Sequence, residues 1–296
     1  MKSFIKGFFI TLLVIAAIVG GGYFLLQQEE STAAKETVDQ FTSDTNKFQM
    51  LIIGVDSLNA KKAENTRSDV MMILDVDRKN DSIRLLSVPR DSRVSVEGHE
   101  GKTKINHAYA YGGSELSLKT VNQNLGLEIP YYMVIDYAFV KDVVDIMGGI
   151  DVDVPMDMKY EDPTADPPLY IDLKQGPQTL NGDEALQFLR FRKGYANADL
   201  DRVKAQQQFI SALVNKLKSK SGVLHSPQLL VSYMDHTNSN MPLGSVVRMG
   251  FETLKIGQDR MTTATLPGTP QMVDGISYYI LDMEQTDSML KDLKIK

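Results

Sequence analysis

Apolar runs of strand length alternate with helical stretches from Met50 to the C-terminus, and this alternation predicts an α/β fold, a sheet covered by helices on both faces. The chain has 296 residues and is 43% hydrophobic, enough for a sizeable core. Ahead of the alternating region, residues 7–26 (GFFITLLVIAAIVGGGYFLL) carry no charge. A helix of that length spans roughly 30 Å, the hydrocarbon thickness of a bilayer. Lys2 and Lys6 precede the run and Glu29 and Glu30 follow it, so the positive-inside rule puts residues 1–6 in the cytoplasm and everything after 26 outside. A cleaved signal peptide is the competing reading. Its apolar core is usually shorter, and the small-residue site Ser31-Thr32-Ala33 is weak. Residues 27–48 are polar and form a stalk. Nothing in 49–296 resembles a linker, so that region is read as one extracellular domain.

Met50–Val55 is a buried strand by composition. Val70–Val76 and Ile83–Val88 are a second and third strand, with Lys79-Asn80-Asp81 turning between them. Ser114–Leu125 reads as a helix, Tyr132–Ile135 as a strand, Tyr137–Met147 as a helix, and Ile150–Val154 as extended chain after Gly148-Gly149. Glu161–Pro168 is a loop rich in Pro and Asp. Asn181-Gly182 is a turn ahead of a short helix, and Leu189–Lys193 is read as extended. Leu200–Lys220 is the longest helix after the apolar run. Pro227–Met234 and Leu243–Leu254 are further helices, Met261–Leu266 a late strand, and Met283–Leu293 a closing helix.

The candidate site residues cluster at predicted strand ends. With 189–193 extended, Arg190 and Arg192 face one way while Leu189 and Phe191 face the core. Asp199 sits where a helix N-cap belongs, and beyond it Arg202 and Gln206 share a helix face at i, i+4. Three arginines and a glutamine can then converge on a multiply charged oxyanion, because arginine offers a forked set of donors. A surface salt-bridge network with Asp199 and Asp201 is the alternative. Asp56 closes the first strand and Arg67-Ser68-Asp69 opens the second. Pro89-Arg90-Asp91-Ser92-Arg93 follows the third, and in an antiparallel pair Arg67 and Arg90 are neighbours. Asp56 and Asp69, with no histidine between them, suit a hard cation such as magnesium. A diphosphate gripped by arginines with one magnesium ion accounts for the whole set.

Other classes are excluded or disfavoured. A formal charge of −6 argues against an electrostatic nucleic-acid binder. The absence of cysteine removes disulfides, thiolate metal sites and a cysteine nucleophile. His99 and His107 are lone histidines in a loop and read as surface or structural residues. Gly112-Gly113 and Gly148-Gly149 read as turns, and no G-x-S-x-G, H-E-x-x-H or Walker pattern is present.

The ordered segments IIGVDS, RSD, SVPRDSRV, KINHAYAYGG, VDIMGGIDVDVP, LNGDEALQFLRFR and DLDRVKAQQQ resemble those of the LytR–CpsA–Psr family of Gram-positive cell-envelope proteins. The resemblance covers roughly 49–220 and is loose after Ser221. It implies a three-layer α/β/α sandwich with a mixed central sheet, and an apolar groove for the polyprenyl chain of a lipid carrier. It implies phosphotransfer of an anionic glycopolymer, such as wall teichoic acid or capsular polysaccharide, from polyprenyl diphosphate to a peptidoglycan sugar hydroxyl at the cell membrane. Family metal ligands match Asp56 and Asp69, with Mg2+ as cofactor. Diphosphate-binding residues match Arg67, Arg90, Arg190, Arg192, Arg202 and Gln206, and Arg93 with looser spacing. Arg67, Asp69, Arg90 and Asp91 form the catalytic set, with Asp91 or Asp69 as general base. Water in place of the acceptor would make the same site a pyrophosphatase. A non-catalytic polyprenyl-lipid binding protein is the third possibility.

Overall fold

The computed structural model describes residues 47–55, 68–163, 168–191, 225–242 and 260–296, with isolated residues between 205 and 256. The apolar run 7–26, the stalk, and much of the helices expected over 200–220 and 243–254 lie outside them. Among the described residues no helix is long and apolar enough to cross a membrane.

The expected strands form at the expected places. In chain order the strands are β1 (Lys47–Val55), β2 (Ser68–Asp77), β3 (Ser82–Ser87), β4 (Arg93–Ser95), β5 (Lys102–Lys104), β6 (Tyr131–Ile135), β7 (Ile150–Val154), β8 (Met158–Asp162), β9 (Leu169–Leu173), β10 (Gly176–Leu180), β11 (Thr237–Ser239), β12 (Met261–Thr265), β13 (Gly268–Val273) and β14 (Ile276–Leu281). The helices are α1 (His107–Leu125), α2 (Tyr137–Ile146), α3 (Gly182–Arg190), α4 (Ser226–His236) and α5 (Met283–Asp292). These elements fall into two compact units. One takes the described residues within 44–136, 237–242 and 256–296; the other takes those within 137–236 and 243–255.

The first unit is built on a mixed sheet of order β11-β6-β1-β2-β3-β12. β1 and β2, β2 and β3, and β6 and β11 are antiparallel; β1 and β6, and β3 and β12, are parallel. Leu51, Ile53, Ile73, Leu86 and Val134 pack with Val121 and Leu125 of α1 and Leu290 of α5 into one core. The alternate residues Met50, Ile52, Met72, Leu74 and Met133 are equally excluded from water. Burial of both parities explains why these strands read as continuous apolar runs rather than as alternation.

In the second unit α2 packs with α3 and α4, and Phe139 and Val143 of α2 and Phe188 and Leu189 of α3 are buried. Two antiparallel pairs, β7 with β10 and β8 with β9, accompany the helices. Three expectations need correction. Part of the Glu161–Pro168 loop belongs to the β8–β9 pair, since Glu161 and Asp162 lie opposite Tyr170 and Leu169. The extended reading fails at Leu189 and Arg190, because α3 continues to Arg190; Phe191, its C-cap at φ −65° and ψ 129°, is extended, and 192–193 lie outside the described residues. His107 opens α1 instead of lying in a loop.

Candidate active site

The antiparallel register of β2 and β3 sets Met72 opposite Ser87, so the start of β2 and the segment after β3 share one end of the sheet. Pro89 to Ser92 form a tight turn in which the Ser92 amide and hydroxyl donate to Pro89 O at 2.9 and 2.7 Å. The following carbonyls are also taken. Arg90 O accepts from Asn106 N at 3.2 Å, Asp91 O from Tyr279 N at 2.9 Å, and Ser92 O from Ile105 N at 2.8 Å. The turn is therefore held by its backbone from β14 and from the segment between β5 and α1, and its charged side chains remain available to solvent.

Those side chains form one cluster. Arg90 Nη1 donates to Asp69 Oδ1, and Arg90 Nε stands 3.9 Å from Asp91 Oδ2. Lys104 Nζ lies 2.7 Å from Asp91 Oδ1. The Arg93 guanidinium and the Lys104 ammonium lie 5.6 and 6.0 Å from the centroid of the Tyr278 ring. Among the described residues the cations outnumber the carboxylates here, with Arg90, Arg93 and Lys104 against Asp69 and Asp91. The Asp69 and Arg90 side chains are 36% and 44% exposed, and ion pairs at such exposure are worth only about 0–1 kcal/mol. They orient the cations at little cost to a stronger anion. Ser68 Oγ, Arg93 Nε and Asn106 Oδ1 are buried near this turn without a hydrogen-bond partner among the described residues.

Of the candidate residues, Asp69, Arg90 and Asp91 lie in one cluster, and Arg93 shares the Tyr278 ring with Lys104. Arg190 lies in the second unit, its guanidinium 5.3 Å from the Tyr137 ring centroid. Asp56, Arg67, Arg192, Arg202 and Gln206 lie outside the described residues. Among the described residues no group of three carboxylate or histidine side chains could by itself hold a metal ion. Asp69 fits magnesium as one hard oxygen donor, and a phosphate ligand brings further oxygens of the same kind. Lys104 and Tyr278 were not anticipated. Lys104 opens the KINHAYAYGG segment, and Tyr278 belongs to a hairpin whose signal was present in Asp274-Gly275. Both turn residues have positive φ, 52° and 77°, the signature of a tight two-residue hairpin loop.

The chain is 33% identical over 226 residues to TagV of Bacillus subtilis, a polyisoprenyl-teichoic acid–peptidoglycan teichoic acid transferase, covering 74% of this chain and 57% of that protein. It is 28% identical over 259 residues to TagT of the same organism, a transferase of the same description, covering 87% of this chain and 79% of TagT. The crystal structure of B. subtilis TagV superposes with a TM-score of 0.63 at 28% identity, covering 84% of this chain and 98% of that one. The LytR_cpsA_psr family model matches residues 23–295, and the chain belongs to that family.

Proposed function

We propose that this protein transfers an anionic glycopolymer from a polyprenyl-diphosphate carrier to a hydroxyl of peptidoglycan. The observation that carries this reading is the backbone-held turn presenting Arg90, with Arg93, Lys104 and Asp69 around it. In the reaction, the acceptor oxygen forms a bond to the phosphorus that bears the polymer, and the phosphoanhydride bond breaks. The polyprenyl monophosphate leaves with the bonding electron pair, and the acceptor proton passes to Asp91 or Asp69. Negative charge grows on the leaving phosphate and the attacked phosphorus, so fixed cations aimed there are the main catalytic device. Arg90 supplies forked donors, and Arg93 and Lys104 supply further positive charge. Arg67, Arg190, Arg192, Arg202 and Gln206 complete the diphosphate grip on this reading. Asp56 and Asp69 would hold magnesium on this reading, and the ion would neutralise part of the same charge.

The reading extends to the setting of the site. The uncharged run 7–26, with lysines before it and glutamates after it, anchors the chain in the cell membrane with the catalytic region outside. A three-layer sandwich with an apolar groove would take the polyprenyl chain. The test is to incubate the full-length protein with lipid-linked teichoic acid or capsular donors and peptidoglycan oligomers, and to identify products by mass spectrometry. A glycan carrying the polymer through a phosphodiester is expected, together with released polyprenyl monophosphate. Hydrolysed donor alone would replace this reading with a pyrophosphatase. Asp69→Ala should abolish transfer while costing no more than about 1 kcal/mol of stability, since it removes only an exposed ion pair.

A further inference from the structure

We propose that the stacked pair of Tyr111 and His99 is a docking platform for a neutral sugar ring of the acceptor glycan, which rests on the transferase reading above. The Tyr111 ring is 46% exposed, although it is one of the large aromatic side chains that folding normally hides. It lies against His99 with ring centroids 3.8 Å apart and planes 19° apart. His107 meets it edge-on at 5.9 Å and 63°, and His107 Nδ1 is itself 2.7 Å from Thr103 Oγ1. Three aromatic rings, from the turn after β4, the start of α1 and the end of its first segment, thus hold one exposed surface in a fixed orientation. A rigid aromatic face of this kind offers contact area at small entropic cost.

The backbone is broken to present it. Immediately after Tyr111, α1 loses helical geometry at Gly112 (φ −155°, ψ 25°) and Gly113 (φ 65°, ψ −153°). The second conformation is open essentially to glycine alone. At Gly112 an added Cβ would sit 2.8 Å from Leu116 Cβ. Helix breaks have identifiable causes and are costly, and this one ends the first segment of α1 at the exposed ring.

Position and charge select the occupant. Asn106, the residue before His107, donates its amide to Arg90 O, and Lys104 pairs with Asp91, so the platform is tied to the cationic turn. The two aromatic surfaces differ in kind. Cations approach the Tyr278 ring, whereas none is seen over Tyr111 among the described residues. Next to His99 in the chain, Glu100 and Lys102 are both exposed, and their opposite charges give a polyanion no net attraction. The polyanionic donor belongs at the arginines, and an uncharged ring of the acceptor belongs on Tyr111.

The test uses the full-length protein and undecorated peptidoglycan oligosaccharides, with binding read by saturation-transfer NMR and KM measured separately for glycan and for lipid-linked donor. Tyr111→Ala should weaken glycan binding and raise the glycan KM by about tenfold, in line with the worth of an aromatic stack, with the donor KM unchanged. Tyr111→Phe should behave as wild type. Unaltered glycan binding in Tyr111→Ala, a rise in donor KM instead, or no glycan binding by the wild-type protein would each overturn the proposal. Tyr111-dependent glycan binding without any transfer would support the platform and overturn the transferase reading.

Discussion

Arg90 is held at both ends, its carbonyl by the Asn106 amide and its guanidinium by Asp69. Arg90→Lys keeps the charge but loses the forked donors. A charge-assisted hydrogen bond is worth roughly 1.5–3 kcal/mol, so transfer should fall about tenfold to a hundredfold. The melting temperature should hardly move, because the side chain is nearly half exposed. Full turnover with a lowered melting temperature would reduce Arg90 to a structural role. Asp69 and Arg90 were legible because they border apolar runs whose strand character is plain. Lys104 and Tyr278 were not, because what joins them is a contact between distant parts of the chain. Phe191 was expected in the core and is 2% exposed, but on a mistaken basis. The pattern of Leu189 to Arg192 alternates over too few residues to separate a strand from a helix end.

At the scale of elements, Asn181-Gly182 was read as a turn ahead of a short helix, whereas Asn181 is the N-cap of α3 and Gly182 its first residue. Asn181 forms a capping box with Glu184, its side chain accepting from Glu184 N at 3.0 Å while Glu184 Oε2 accepts from Asn181 N at 2.9 Å. Gly182 donates to Asp145 Oδ1 at 2.7 Å, and a Cβ there would meet Lys141 O at 2.5 Å. The glycine is thus required for close approach of α3 to α2. Asn181→Ala should cost about 1 kcal/mol, the usual worth of a cap. Gly182→Ala should cost more, roughly 1–3 kcal/mol, because the obstacle is backbone. Chemical denaturation of both variants checks the order, and a Gly182→Ala protein as stable as wild type would show that α2 and α3 separate freely. Gly112-Gly113 was also read as a turn, which hid the first segment of α1. The Pro- and Asp-rich composition likewise hid the β8–β9 pair.

On the scale of the whole molecule, local pattern identified the strands but could not order them. β1 lies beside β6 and β3 beside β12, pairings between segments far apart in the chain. The same applies to a polar row across the sheet, buried at Asp75 and Arg84. Gln49, Asp75 and Arg84 are register partners on β1, β2 and β3. Asp75 is fully buried, accepting from Arg84 Nη1 at 2.6 Å and from Gln49 Nε2 at 2.9 Å, with Lys47 Nζ at 3.1 Å. Gln49 Nε2 also donates to Ile295 O at 2.7 Å, and Lys47 Nζ donates to Lys294 O. The row therefore ties the first strand and the C-terminus to the middle of the sheet. Removing Asp75 leaves the buried Arg84 with only the longer contact to Asp77 at 3.5 Å, and breaking a buried charge pair costs about 3–5 kcal/mol. Asp75→Ala should lower stability by that amount, and the melting temperature by roughly 6–20 °C at about 2–4 °C per kcal/mol. The double variant Asp75→Ala, Arg84→Met should recover most of the loss, since it removes the poorly compensated guanidinium and restores apolar volume. If Asp75→Ala alone melts within a degree or two of wild type, water reaches Arg84 and the row does not clamp the C-terminus.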